Sequence, residues 1–187
     1  MKAVRLLALL ALLPVAVFAA DRIIKIDKSR SYVDVDVKAT MDSFTGHLDK
    51  YDTVITTDAA GKVKTTVFSF KFTDLKTGKT DRDAEMIKWL GGGEPEGKFE
   101  LGIIAVAPDG QGQVSGRLTF HGVTQRIEFP VNVVKDKDTY TMIGDVTIDY
   151  REWGLKPIKK ALMFSVGHDV KIKFKLIGTL ADAAPAN

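Results

Sequence analysis

The chain has 187 residues, no cysteine and a formal net charge of +3. Without a thiol it can hold no disulfide framework, metal–thiolate centre, haem attachment or cysteine nucleophile. Its 27 basic and 24 acidic residues are interleaved along the chain, as in Asp34-Val35-Asp36 and Lys62-Val63-Lys64, so charge gives no reason to expect a nucleic-acid partner.

The chain opens with a signal-like segment. Lys2 and Arg5 precede an apolar run, Leu6 to Phe18, that is too short to span a bilayer, and Val17-Phe18-Ala19 offers a cleavage site. This predicts a signal peptide over residues 1–19, cut after Ala19, and export to the periplasm. Two of the basic residues, Lys2 and Arg5, leave with it, and the mature chain is then nearly neutral. Residues 20–187 are long enough for a single domain with its own core, as a protein without disulfides needs.

Apolar residues then alternate at period two. Ser31 to Lys38 puts Val33, Val35 and Val37 on one face, a weaker run spans Thr45 to Thr57, and Lys64 to Phe72 aligns Phe68, Phe70 and Phe72. Further runs follow at Phe99–Ala107, Gln113–His121, Arg126–Val134, Thr139–Tyr150 and Val170–Leu180, separated by turns such as Asp58-Ala59-Ala60-Gly61 and Pro108-Asp109-Gly110. About eight short strands with almost no helix between them predict an all-β fold, an antiparallel barrel that leaves no free sheet edge. One helix is expected near the barrel mouth, over residues 81–90. Thr80 and Asp83 stand at capping-box spacing, Met86, Trp89 and Leu90 form an apolar stripe, and Gly91-Gly92-Gly93 ends it. Such a stripe is ordinary core packing for Leu90, whereas Met86 and Trp89 on a lone helix could cover the opening of a barrel.

The run Val114-Ser115-Gly116-Arg117-Leu118-Thr119-Phe120-His121-Gly122-Val123-Thr124 resembles the G-x-L-T-x-H-G-V-T signature of the YceI-like family, lipocalin-like polyisoprenoid-binding proteins of bacterial envelopes. Other segments are similar in the family's order. Arg82-Asp83 with Met86 matches R-D-x-x-L, Phe44-Thr45-Gly46-His47-Leu48 its early x-x-G-x-F stretch, Ile148 to Leu155 its N-R-x-D-F-G segment, and Val166-Gly167-His168-Asp169-Val170 its last strand. The likeness departs at Ala39, where the family often has histidine, at Tyr150, which stands at an arginine position with Arg151 one place later, and in the looser stretch Gly91 to Gly97.

An interior faced by Phe68, Phe70, Phe72, Phe99, Leu101, Leu118, Phe120, Ile127 and Phe129 is either filled by its own side chains or holds a long apolar ligand. The resemblance implies the second, with Met86 and Trp89 added to the lining and Arg82, Asp83, His121, Tyr150 and Arg151 near a polar head group. The expected ligand is a polyisoprenoid, an isoprenoid quinone or a similar long-chain lipid, with no cofactor, no metal and no catalysis. An inner-membrane donor or acceptor protein would then be a partner, and the oligomeric state, homodimer included, stays open. Two other readings are an enzyme working on the lipid head through Asp83, His121 and His168, and a packed-core module for envelope stress or partner binding.

Overall fold

The structure is a computed structural model that describes residues 22–40, 42–160 and 164–182; the expected signal peptide lies outside them. Twelve strands and one helix are found there: β1 (Arg22–Ile26), β2 (Tyr32–Ala39), β3 (Phe44–Leu48), β4 (Asp52–Thr57), β5 (Val63–Lys71), β6 (Leu75–Lys76), α1 (Thr80–Trp89), β7 (Glu96–Val106), β8 (Gln111–Phe120), β9 (Val123–Asp136), β10 (Thr139–Asp149), β11 (Lys159–Lys160) and β12 (Phe164–Asp182). No helix among the described residues is long and apolar enough to cross a membrane.

The strands pair in the order β1-β4-β5-β7-β8-β9-β10-β12, and β12 pairs back to β1, so eight antiparallel strands close a barrel. β12 makes the closure. Its 19 residues bond β10 along one edge, while the other edge serves β2 through Val166–Lys175 and β1 through Gly178–Asp182. Between those two partners the chain turns at Asp27, whose carboxylate accepts from the Ser29 N–H and hydroxyl at 3.0 and 2.6 Å. Ser31 Oγ in turn accepts the Ile177 N–H at 2.9 Å. β2, β3 and β6 continue from β12 as a ribbon that lengthens the wall at one end.

An eight-stranded closed barrel is what the alternation predicts, but its membership differs. β1 takes the place expected for β2, which lies in the ribbon, and the weak run at residues 45–57 is two strands, β3 and β4. β1 escapes a period-two reading because Ile23 and Ile24 are adjacent; Ile24 alone is fully buried. Phe72 does not extend β5 but opens a 3-10 turn, Phe72–Asp74.

The helix starts one residue earlier than expected and without the anticipated capping box. Lys79 is the N-cap, with extended backbone, and Thr80 lies inside the helix. Asp83 reaches back beyond the helix instead, accepting from the Thr77 N–H at 3.0 Å and the Thr77 hydroxyl at 2.6 Å. At the other end Gly91 N–H donates to Lys88 O and Gly92 N–H to Ile87 O, the Schellman arrangement, with Gly91 at a φ of +102° that a side chain would oppose.

The two ends of the barrel differ. At the wide end β9 and β10 part: only Val131–Asp136 and Thr139–Gly144 are paired. Beyond that the 3-10 turn Tyr150–Trp153 fills the seam. Trp153 is 0% exposed, its Nε1–H donates to Leu118 O at 3.1 Å, and His121 Nδ1 and Gln125 Nε2 donate to the carbonyls of Trp153 and Glu152. At the narrow end Tyr140 spans the barrel from β10 to the β4–β5 turn, its hydroxyl donating to Gly61 O at 2.7 Å, with Lys135 Nζ above the ring. Tyr140→Phe strands a buried carbonyl and should lower unfolding free energy by about 1–2 kcal/mol, measured by urea denaturation, with the slope m unchanged.

Candidate functional site

A cavity of about 780 Å³ runs through the interior. All the barrel strands but β1 contribute side chains, with β2 of the ribbon added: valines of β2, Ile55 of β4, Phe68 and Phe70 of β5, Phe99 and Leu101 of β7, Leu118 and Phe120 of β8, Ile127 and Phe129 of β9, and the matching faces of β10 and β12. A strand's inward side chains recur every second residue, so these strands supply an almost wholly apolar lining. The rings touch in series: Phe68 to Phe70 at 6.0 Å, Phe70 to Phe72 at 5.1 Å, Phe72 to Phe120 at 5.7 Å, and Phe120 stacked on Trp153 at 4.7 Å. A second series joins Phe99, Phe129 and Phe174.

A barrel so rich in rings would ordinarily fill itself, and glycine explains why it does not. Gly97 lies opposite Phe70 across β5 and β7, and Gly144 opposite Phe174 across β10 and β12. A Cβ on Gly97 would stand 2.3 Å from Phe70 Cζ, one on Gly144 2.6 Å from Phe174 Cζ, and one on Gly116 2.4 Å from Phe99 Cζ. Each ring therefore lies along the wall, its far edge over a glycine, instead of projecting into the lumen.

All eleven residues expected to form an apolar lining, Phe68, Phe70, Phe72, Met86, Trp89, Phe99, Leu101, Leu118, Phe120, Ile127 and Phe129, border this one cavity. Sequence reading missed the contribution of β10 and β12, notably Val146, Ile148, Ile172 and Phe174. The signal was present in the alternation of Val170, Ile172, Phe174 and Leu176. It also missed the inward glycines, which the strand pattern marks as gaps in otherwise apolar faces.

At the wide end α1 lays Arg82, Met86 and Trp89 against the cavity. Trp89 packs edge-on to Tyr150 at 4.9 Å and its Nε1–H donates to Lys156 O at 2.8 Å, tying the helix to the segment after the 3-10 turn. The Arg82 guanidinium lies 3.8 Å from the centroid of the Phe44 ring and 3.8 Å from Asp42 Oδ2. Thr66, Thr77, Glu85 and Lys88 are the other polar side chains at the lining.

The five residues expected at a head group divide. Arg82 and Tyr150 border the cavity. Asp83, His121 and Arg151 do not. Asp83 is spent on Thr77, His121 turns away at a φ of +50° to bond Trp153 O, and Arg151 grips the Asp149 carboxylate through Nε at 2.9 Å. Hydrogen bonding from Arg151 holds Asp149 down at a pKa of about 2. His168 Nδ1 sits 3.4 Å from Asp149 and 3.0 Å from Asp169 on the outer face. Asp83, His121 and His168 are each held by a hydrogen bond, to Thr77, Trp153 O and Asp169, and none of the three borders the cavity. The other perturbed carboxylates also lie outside the lining: Lys173 lowers the pKa of Asp36 by hydrogen bonding, and Lys98 does the same to Glu100.

The comparisons agree with this architecture. The chain matches the YceI-like domain over residues 24–177. Burkholderia cenocepacia BcnA superposes with a TM-score of 0.69 at 21% identity, covering 83% of this chain and 100% of its own. The Campylobacter jejuni YCEI protein gives 0.58 at 18% identity, over 77% and 87% of the two chains. Identities this low speak to the fold alone, and no curated protein matches the chain. The domain match spans nearly all the described barrel, and the chain belongs to the YceI-like domain family.

Proposed function

We propose that this protein is a periplasmic carrier that shields the apolar tail of an amphiphilic lipid, a polyisoprenoid, an isoprenoid quinone or a similar long chain, and catalyses no reaction on it. The observation that carries this reading is the hollow interior: about 780 Å³ bordered almost wholly by apolar side chains. Leaving such a surface wet costs roughly 25 cal/mol per Å², whereas a long apolar chain would satisfy it without a polar partner at depth. Of the polar lining side chains, Thr77, Arg82, Glu85 and Lys88 lie on or just before α1, while Thr66 is on β5. A lipid that must cross an aqueous compartment needs this kind of cover, and an inner-membrane donor or acceptor would complete the route.

Organic extract of the purified protein, analysed by mass spectrometry, should contain one long-chain lipid near stoichiometry. Folded Phe120→Glu protein should contain none, because a carboxylate in the aromatic series opposes an apolar chain; an empty wild-type extract would favour a core that works without ligand. Arg82→Ala should weaken an anionic lipid by about tenfold at low salt and less at high salt, with thermal stability nearly unchanged, in a salt-series titration. Lost stability with unchanged affinity would return Arg82 to a structural role. N-terminal sequencing of protein taken from cells should begin at Ala20 or Asp21, and a chain that keeps Met1 contradicts the periplasmic assignment.

A further inference from the structure

We propose that Gly97 sets the bore of the cavity and thereby lets it admit methyl-branched chains, which need more girth than slim straight ones; this rests on the carrier reading. Gly97 occupies an inward position of β7 with an aromatic residue on each side, Phe70 on β5 and Phe120 on β8. Glycine in a strand interior weakens the strand, so its presence there marks a close approach. All three nearest atoms to a Cβ built on it belong to the Phe70 ring, at 2.3, 2.5 and 2.9 Å. Gly116 and Gly144 differ in that carbonyl oxygens, of Glu100 at 2.7 Å and Pro130 at 2.9 Å, also crowd the position. At Gly97 the closest obstacle is the ring, the far end of a side chain.

The backbone at Gly97 is outside the left-handed region, so alanine could adopt it without strain. A ring can leave by changing rotamer, and Phe70 borders the lumen, which can receive it. Gly97→Ala should therefore move Phe70 from the wall into the bore. In a tightly packed core the same substitution would instead strain the fold. Here the hollow absorbs the ring, and the loss falls on the ligand. Branch methyls need girth that a straight chain does not.

Phytanic and palmitic acids form a matched probe pair, since they share backbone length and carboxyl group and differ only in methyl branches. With lipid-stripped protein, Gly97→Ala should weaken phytanic acid by at least about tenfold while palmitic acid stays within about twofold, in line with what a misfitted methyl costs in an apolar pocket. Gly97→Ala/Phe70→Leu should recover phytanic acid binding, because the displaced ring is gone. Unchanged phytanic affinity in Gly97→Ala, or equal loss of both acids, overturns the proposal. A crystal structure of ligand-free Gly97→Ala decides the bore independently of any lipid: a ring in the lumen is expected, and a ring still on the wall with the strands shifted overturns it. Failure of wild-type protein to bind either acid counts against the carrier reading, and the ring position still judges this one.

Discussion

The rest of the structure depends on the pairing of β12 with β1. These five residue pairs, Arg22 with Asp182 through Ile26 with Gly178, convert a curved sheet into a closed wall. Closure satisfies the backbone groups that an edge would leave open, and it defines an inside whose every second side chain must be apolar. The same strand supports the β2 ribbon a few residues earlier, so one long element sets both the girth of the barrel and the extension of its wide end. A single continuous hydrogen-bonded strand ensures that the two cannot drift in register, since a one-residue slip would turn Ile172, Phe174 and Leu176 outward.

Inside that wall, stability and vacancy are separated in space. The narrow end is packed, with Ile24, Ile55, Tyr140, Met142 and Leu180 buried together. The seam at the wide end is filled by Trp153, Tyr150 and Leu155 against Leu118 and Phe120. Between the two, rings folded onto glycines leave the lumen open. A fold that places its tight packing at both ends can tolerate a hollow centre that would destabilise an ordinary core by the loss of contact alone.

Much of this was legible in the sequence, for reasons particular to each element. Strands β5, β7, β8 and β9 announce themselves by alternation, and eight of the eleven lining residues follow from that parity, while Met86 and Trp89 come from α1 and Phe72 from the 3-10 turn. β1 was invisible because Ile23 and Ile24 break the alternation. The rim was read only in part: Arg82 and Tyr150 lie at the cavity, but Asp83, His121 and Arg151 each found a nearer partner in Thr77, Trp153 O and Asp149. Short polar side chains at turns are claimed by local backbone, and sequence order does not reveal which carbonyl is closest. Most hidden of all was the emptiness of the barrel, which depends on where a ring's far edge comes to rest relative to a residue on the next strand.

The bond from Tyr140 to Gly61 ties β10 to the β4–β5 turn across one end of the barrel and narrows it. On the carrier reading proposed above, the opposite end is then the door, and a lipid with a polar head would enter tail first and leave head first. Its receiver would have to take hold of the head while the tail is still inside, so the floor of the barrel would set the order of handover as much as its rim.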